Sequence, residues 1–435
     1  MAVSMVRTRA LLLSLALWSL WGWSLWAWAL PVAARAQEAP AGEVVVIEAG
    51  KVLTMNDRDE VLDHAVIVLR GGKIAALGAR GEVEVPEGAR VIDARDRWVV
   101  PGFVDCHDHV AGSLRNLNDG VFLTNPGLRT VDVLDPDNEN LLNARAGGVT
   151  TVLLIPGSGN NMAGFGTVSR TAGKTVAEMT VRAPGSLKIA QAGNPEGYWF
   201  GVGRSFMNYN LRQTLQKARA YHERWTAWEE RVQERGAAGA GPPPARDPIW
   251  HEFRGLFRKE FPTSVHTQMY QVVLETITML HDEFKLDVMP DHCTFDGYKT
   301  APLLVERDMP AIVGPRQYYF DRSERRLVGC AERYYAQGMR KLGINTDAPV
   351  VPQEELTLQA AIGCRLGLDP YVALKALTIV PARALGIAEH AGSLEVGKDA
   401  DFGVWTGDPI DPSRACQQTW VQGRLVYDAK KKRRF

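Results

Sequence analysis

From Val44 the chain sets short β-branched runs between turn residues: Val44–Ile47, Ala65–Leu69, Lys73–Leu77 and Arg90–Ile92. Gly71-Gly72 between the second and third predicts a hairpin. After residue 100 the pattern changes. Apolar runs at Val149–Ile155, Gly166–Ser169, Leu187–Ala190, Thr263–His266, Leu286–His292, Pro310–Gly314 and Leu342–Asp347 lie between longer, helix-compatible segments. One amphipathic helix is predicted over roughly Leu211 to Glu234, stopped by the Gly/Pro-rich stretch 236–244, which reads as a surface linker. Helical segments near 354–367, 370–379 and 381–385 follow, and after Gly392 the short strands return at 402–405, 419–421 and 423–427. Strands alternating with helices predict a parallel barrel. The fold class expected is α/β: a TIM-like (β/α)8 barrel inserted into a small β-sandwich domain formed from both chain ends. The boundaries are 37–100 and 391–435 for the sandwich and 101–390 for the barrel.

The 435 residues carry equal numbers of basic and acidic groups, so the chain has no overall basic field for nucleic acid. Arg7 and Arg9 precede an apolar run from Ala10 to Leu30, and Ala34-Arg35-Ala36 follows as a cleavage pattern. Residues 1–36 are therefore read as a signal peptide, and the protein as exported, periplasmic or secreted. An uncleaved membrane anchor is the alternative. Five scattered cysteines argue against a disulfide framework, and Cys106 and Cys293 are read as packing residues.

The chemistry begins at Val99-Val100-Pro101-Gly102-Phe103-Val104-Asp105-Cys106-His107-Asp108-His109. Side chains two apart on a strand share a face, so His107 and His109 project together. His266, His292 and Asp347 also fall at predicted strand ends, and the C-terminal strand ends of a barrel face one mouth. Four imidazoles and a carboxylate form a donor set for Zn²⁺, with Mn²⁺, Fe²⁺ or Ni²⁺ as alternatives, in one or two copies. The remaining histidines (His64, His222, His251, His281 and His390) are read as surface or helix residues.

Pro101 to His109, following a small β module, resembles the amidohydrolase superfamily in its imidazolonepropionase-like branch. Ala146–Val152, Asn345-Thr346-Asp347 with Pro349–Pro352, and Gly392–Asp401 extend the likeness over roughly residues 44–427. The resemblance implies that His107 and His109 are first-strand metal ligands, and His266 and His292 the fifth- and sixth-strand histidines. It makes Asp347 the eighth-strand aspartate that touches the metal and shuttles the proton. A divalent cation brings the pKa of bound water toward ~7, supplying hydroxide for attack on a C–N bond. His292 then holds a second cation or polarises the carbonyl. Lys188 stands where some members carry a carboxylated lysine bridge, and Glu196 is a poorer bridging candidate. The family pattern has Gly-Glu-Asn-Pro where this chain reads Ala192-Gly193-Asn194-Pro195, and lysine where Arg170 stands.

The function expected is hydrolysis of a non-standard amide, cyclic amide or dipeptide-like bond in a small molecule. The alternatives are a deaminase and a catalytically inactive barrel acting as a binding protein. A deaminase is disfavoured because Thr267-Gln268-Met269-Tyr270, with no glutamate, follows His266. The 156–161 loop is read as a strand-to-helix turn, with presentation of N–H groups to a substrate carboxylate as the alternative. Tyr198–Phe200 and Tyr318–Phe320 either line a pocket or pack. A homo-oligomer is left open.

Overall fold

The computed structural model describes residues 42–434 apart from 111, 113 and 192. The predicted signal segment, 1–36, lies outside the described residues. Strands β1 (Val45–Leu53), β2 (Val61–Arg70), β3 (Lys73–Ala79) and β4 (Arg90–Pro101) form the first part of a β-sheet. The chain then passes into β5 (Phe103–Asp108), β6 (Val149–Leu154), β7 (Met162–Arg170), β8 (Thr180–Ala190), β9 (Thr263–His266), β10 (Val288–His292) and β11 (Ala311–Val313). A hairpin of β12 (Tyr318–Asp321) and β13 (Arg326–Gly329) precedes β14 (Leu342–Ile344). The last strands, β15 (Phe402–Trp405), β16 (Cys416–Val421) and β17 (Arg424–Asp428), return to the first sheet.

The two ends of the chain pair as one seven-stranded sheet, in the order β17-β16-β15-β4-β1-β2-β3. The expected sandwich of separate sheets is therefore corrected to one continuous sheet curled over its own core. Ile47, Ile67, Phe402 and Trp420, from four different strands, share that core. The curl brings the β2–β3 turn against the β16–β17 turn, where a Cβ on Gly72 would lie 3.2 Å from the Gln422 carbonyl.

The barrel sheet runs β14-β11-β10-β9-β8-β7-β6-β5. Strands β5, β6, β9 and β10 are buried along their whole length, as expected where one face packs the barrel interior and the other lies under outer elements. The expectation of eight parallel strands needs a correction. Strand β7 runs antiparallel to both β6 and β8. Residues 155–161 are too few for a crossover helix, since a parallel return takes roughly a dozen residues or more. The chain turns straight back instead, so 156–161 is a hairpin turn and not a strand-to-helix turn. The amphipathic helix is longer than expected, Arg204–Gly239, with non-helical backbone at Gly236.

Two contacts join sheet to barrel. At Pro101-Gly102 the chain leaves β4 and enters β5 within one residue, and a Cβ on Gly102 would lie 2.1 Å from the Thr150 hydroxyl, so only glycine fits. Arg170, at the end of β7, donates to the Asp399 carboxylate at 2.8 Å, and Lys73 approaches the same carboxylate at 2.5 Å. Arg170 therefore serves this clasp and lies away from the histidines. Asp399 is almost fully buried, so Arg170→Met leaves it short of one charged donor. The expected cost is about 2 kcal/mol, read as a lower midpoint in urea unfolding with an unchanged slope.

Candidate metal centre

Each candidate ligand stands at or just past a strand end. Strand β5 carries His107 and stops at Asp108, and the His109 amide then donates to the Ala348 carbonyl at 2.8 Å. That bond and the Asp108–Ala348 bridge join the first barrel strand to the loop after β14. Asp347 is thereby seated beside both histidines, with Oδ1 3.3 Å from His107 Nε2 and 3.2 Å from His109 Nε2. Strand β10 ends at His292, whose φ of 68° is left-handed, as is that of Asp347 at 51°. Such backbone costs of order 1–3 kcal/mol and persists where surrounding contacts hold it.

The structure brings all five predicted donors together. The ligand atoms of His107, His292 and Asp347 lie within 4.8 Å of one another. The His266 and His292 rings are 4.4 Å apart by centroid, and those of His107 and His109 are 5.0 Å apart. Lys188 joins them, fully buried, with Nζ 3.1 Å from His107 Nε2. Glu196 does not: it accepts from the Gly193 amide and faces Arg204. Cys106 and Cys293 are buried free thiols.

The imidazoles are set up as donors. His109 Nδ1 is 2.9 Å from the Ile155 carbonyl, and His292 Nδ1 is 2.7 Å from that of Gly314. A carbonyl only accepts, so in both rings Nδ1 carries a proton and Nε2 is the nitrogen turned toward the cluster. Burial, with the neighbouring Lys188, holds His107 well below the usual histidine range. Burial, reinforced by His292, does the same to His266. Burial takes His292 down to about 4. All three are therefore neutral near pH 7, as ligation requires. Burial also pushes the Lys188 ammonium down to about 8, against the pull of Asp291 and Asp347. For Asp347, burial works upward, but His292 and His109 outweigh it and hold the carboxyl below its ordinary value.

A divalent ion fits this donor set on an observation independent of any kinship. Both nitrogens of His266, and Nε2 of His292, are buried without a hydrogen-bond partner. Buried polar atoms are rarely left so, and a cation shared by one nitrogen of each ring gives those two a partner. A Cβ on Gly193 would lie 3.5 Å from His266 Nε2, so this position borders the cluster.

Sequence reasoning missed the groups behind the ligands. Asp291 Oδ2 lies 3.2 Å from His107 Nδ1 and accepts from the Ser264 hydroxyl. Asp105 accepts from the His107 amide at 3.1 Å and from the Thr346 hydroxyl at 2.5 Å, tying β5 to the loop that carries Asp347. Gln353 donates to Asp108 at 3.0 Å. Asp105 had a signal, standing two residues before His107 on the same face. Asp291 had none, because alternation along the strand turns it away from its neighbour His292.

Above the donors opens a cavity of about 760 Å³, reaching His109 and Asp347 at its base. Tyr198 and Trp199 line it, as does the 156–161 loop. Tyr318–Phe320 do not; they lie on the separate hairpin, where Tyr319 packs on Phe295.

The amidohydrolase family model matches residues 322–426. The amidohydrolase tasK of Hapsidospora irregularis is 28% identical over 375 residues, covering 79% of this chain and 38% of that protein. The imidazolonepropionase of Pseudomonas entomophila is 26% identical over 397 residues, 85% of this chain and 93% of the enzyme. The crystal structure of an amidohydrolase from Thermotoga maritima superposes with a TM-score of 0.74 at 27% identity, covering 88% of this chain and all of that one. Together these matches support the amidohydrolase superfamily. Within it the chain is imidazolonepropionase-like, and its relatives are hydrolases acting on carbon–nitrogen bonds.

The donor geometry makes a direct prediction. His292→Ala lowers tightly bound divalent metal roughly tenfold or more, by elemental analysis after desalting, while far-UV circular dichroism stays that of the parent.

Proposed function

We propose that this amidohydrolase hydrolyses a non-standard carbon–nitrogen bond (amide, cyclic amide or dipeptide-like) in a small molecule. One observation carries the reading: four imidazoles and a carboxylate cluster beneath a single cavity that His109 and Asp347 line, with nitrogens of His266 and His292 left unpartnered. His107, His109, His266, His292 and Asp347 would hold the ion, with Zn²⁺ the best match to such donors. Lys188 is the candidate bridging group if a second ion binds. When bound, the ion supplies a Lewis acid that polarises the substrate carbonyl and makes water acidic.

The chain's own residues supply the rest. Asp347 is kept ionised by the imidazoles around it and faces the cavity base, so it accepts the proton of the attacking water. It then delivers that proton to the departing nitrogen, which cannot leave as an anion. Ile155 and Gly314, through their carbonyls, fix the tautomers of His109 and His292. Asp105, by holding both the His107 amide and the Thr346 hydroxyl, sets the distance across which the proton moves.

The reading of residues 1–36 as an export signal belongs to the proposal. Its support is the sequence pattern alone. Among the described residues no helix is long and apolar enough to cross a membrane.

The test is a screen of N-acyl amino acids, dipeptides, cyclic amides and ureas against the metal-loaded protein. Asp347→Asn, measured at saturating Zn²⁺, lowers kcat by roughly 10²–10⁴-fold on whichever substrate is found. A chelator abolishes turnover and Zn²⁺ restores it. Full activity in Asp347→Asn, or indifference to chelation, overturns the reading.

A further inference from the structure

We propose that the face around the barrel mouth docks on an anionic lipid bilayer. Its exposed aromatic and aliphatic side chains enter the headgroup region, and arginines of the β12–β13 hairpin meet the lipid phosphates. The inference goes beyond the hydrolase reading and does not need it to hold.

The first argument is where the apolar surface lies. Barrel strands point their C-terminal ends at one mouth. Exposed apolar side chains follow four of those ends: Phe122 after β5, Phe200 after β8, Tyr318, Phe320 and Leu327 after β11, and Val350 after β14. The loop that carries Phe122 is held to the mouth by the Asn161 amide, which donates to the Leu123 carbonyl at 3.0 Å. The Asn160 side chain, which donates to the Asp119 carbonyl, holds it too. Val350 lines the cavity itself, opposite no covering element among the described residues. In the sheet domain, by contrast, the large exposed apolar side chains are valines alone among the described residues: Val61, Val85, Val91 and Val396. Single exposed valines are ordinary, whereas large apolar groups gathered on one face mark a contact surface.

The second argument is the hairpin. Phe320 stands opposite Leu327 and Tyr319 opposite Val328, so Tyr318, Phe320 and Leu327 share one face and Tyr319 and Val328 the other. The inner face packs: Val328 is buried, and the Tyr319 ring lies 5.7 Å from that of Phe295. The outer face is exposed throughout. The hairpin is also fixed at its base. The Cys330 amide donates to the Gln317 carbonyl at 2.8 Å, and Gln317 Nε2 to the Val313 carbonyl at 3.3 Å. Gly314, whose carbonyl holds His292, begins the same segment, so the outer face is presented at the mouth by a rigid stem.

The third argument is charge, and it selects the partner. The hairpin's two acids are engaged within it: Asp321 accepts from the Ser323 and Glu324 amides at 2.8 and 3.0 Å, and Glu324 pairs with Arg326. Arg322 and Arg325 are exposed, and no acid pairs with either among the described residues. Aromatic side chains beside unpaired arginines match the headgroup layer of an anionic membrane. A second copy of the chain seated face to face would bring two such arginine pairs together. Residues 1–36, read from the sequence as an export signal or an anchor, deliver the chain to a bilayer in either case.

The experiment uses the metal-loaded chain as an exporting host delivers it, with tryptophan placed on the mouth face (Phe320→Trp, Phe200→Trp) or on the sheet (Val91→Trp). Vesicles of phosphatidylcholine, alone or with about one third phosphatidylglycerol, carry brominated acyl chains that quench tryptophan inside the bilayer. Quenching added over the parent chain is the readout, because a retained leader would quench parent and variants alike. Phe320→Trp and Phe200→Trp are expected to gain quenching on the anionic vesicles, and Val91→Trp to gain none. Arg322→Glu combined with Arg325→Glu cuts the gain at Phe320→Trp at least about fivefold, as does salt near 1 M. Equal quenching at Val91→Trp, no loss on charge reversal, or equal gain on uncharged vesicles overturns the inference. So does a dimer in sedimentation that Phe320→Ser dissociates, with the mouth face unquenched. Docking without turnover counts against the hydrolase reading alone, and turnover without docking counts against this inference alone.

Discussion

The hydrogen bond from the His109 amide to the Ala348 carbonyl, with the adjacent Asp108–Ala348 bridge, is the contact on which the rest of the structure depends. Strand β14 is short and ends at Ile344, so the barrel is not sealed by strand pairing along its full height. It is sealed at the mouth, where the first strand ends and the eighth-strand loop begins. Sequence positions 107–109 and 347 are distant in the chain, and this seam makes them neighbours. A barrel that failed to close there would keep its histidines on three separate strands, and Asp347 would have no imidazole to face.

The seam is reinforced by buried carboxylates whose burial is costly. Burial lifts Asp105 to about 6, with Thr346 and the His107 amide pulling the other way. Burial raises Asp108 well above its ordinary value, and nearby Asp105 adds to the rise. Gln353 donates to Asp108 and lies 3.5 Å from Asp105, bracing the two. A group of acids this close is held by hydrogen bonds from neutral donors, not by cations. The cationic partner in the neighbourhood, Lys188, stands on the inner side against His107. Polar groups whose burial works against stability thus surround the ligands and keep them rigid, in the manner expected of a site that must be preorganised.

Much of this was legible in the residues. His107-x-His109, with His266, His292 and Asp347 at later strand ends, predicted the cluster, and the return of short strands after Gly392 predicted a sheet built from both ends. What failed to show has physical reasons. Strand β7 looked like any other apolar run, because direction is set by the length of the connection and not by hydrophobic pattern. Asp291 was hidden because it adjoins a candidate ligand on the same strand, and alternation assigns it to the other face. Arg170 appeared as a departure from a lysine position, and only the fold shows its guanidinium bonded to Asp399 in the second sheet. Lys188 was read from the sequence as a bridging candidate. Its complete burial beside His107 separates it from a strand lysine that reaches for solvent.

The pairing of β4 with β15, Val100 opposite Gly403 and Trp98 opposite Trp405, has a consequence for how the molecule is made. Everything that composes the barrel is synthesised between those two strands. Until the ribosome has delivered the final strands, one edge of β4 stays open, and the apolar side chains that Phe402 and Trp420 later cover remain wet. Contacts of such long sequence separation form late and slowly. The nascent chain therefore needs protection from self-association during that interval, and loss of the last strands would harm solubility before it touched the distant catalytic mouth.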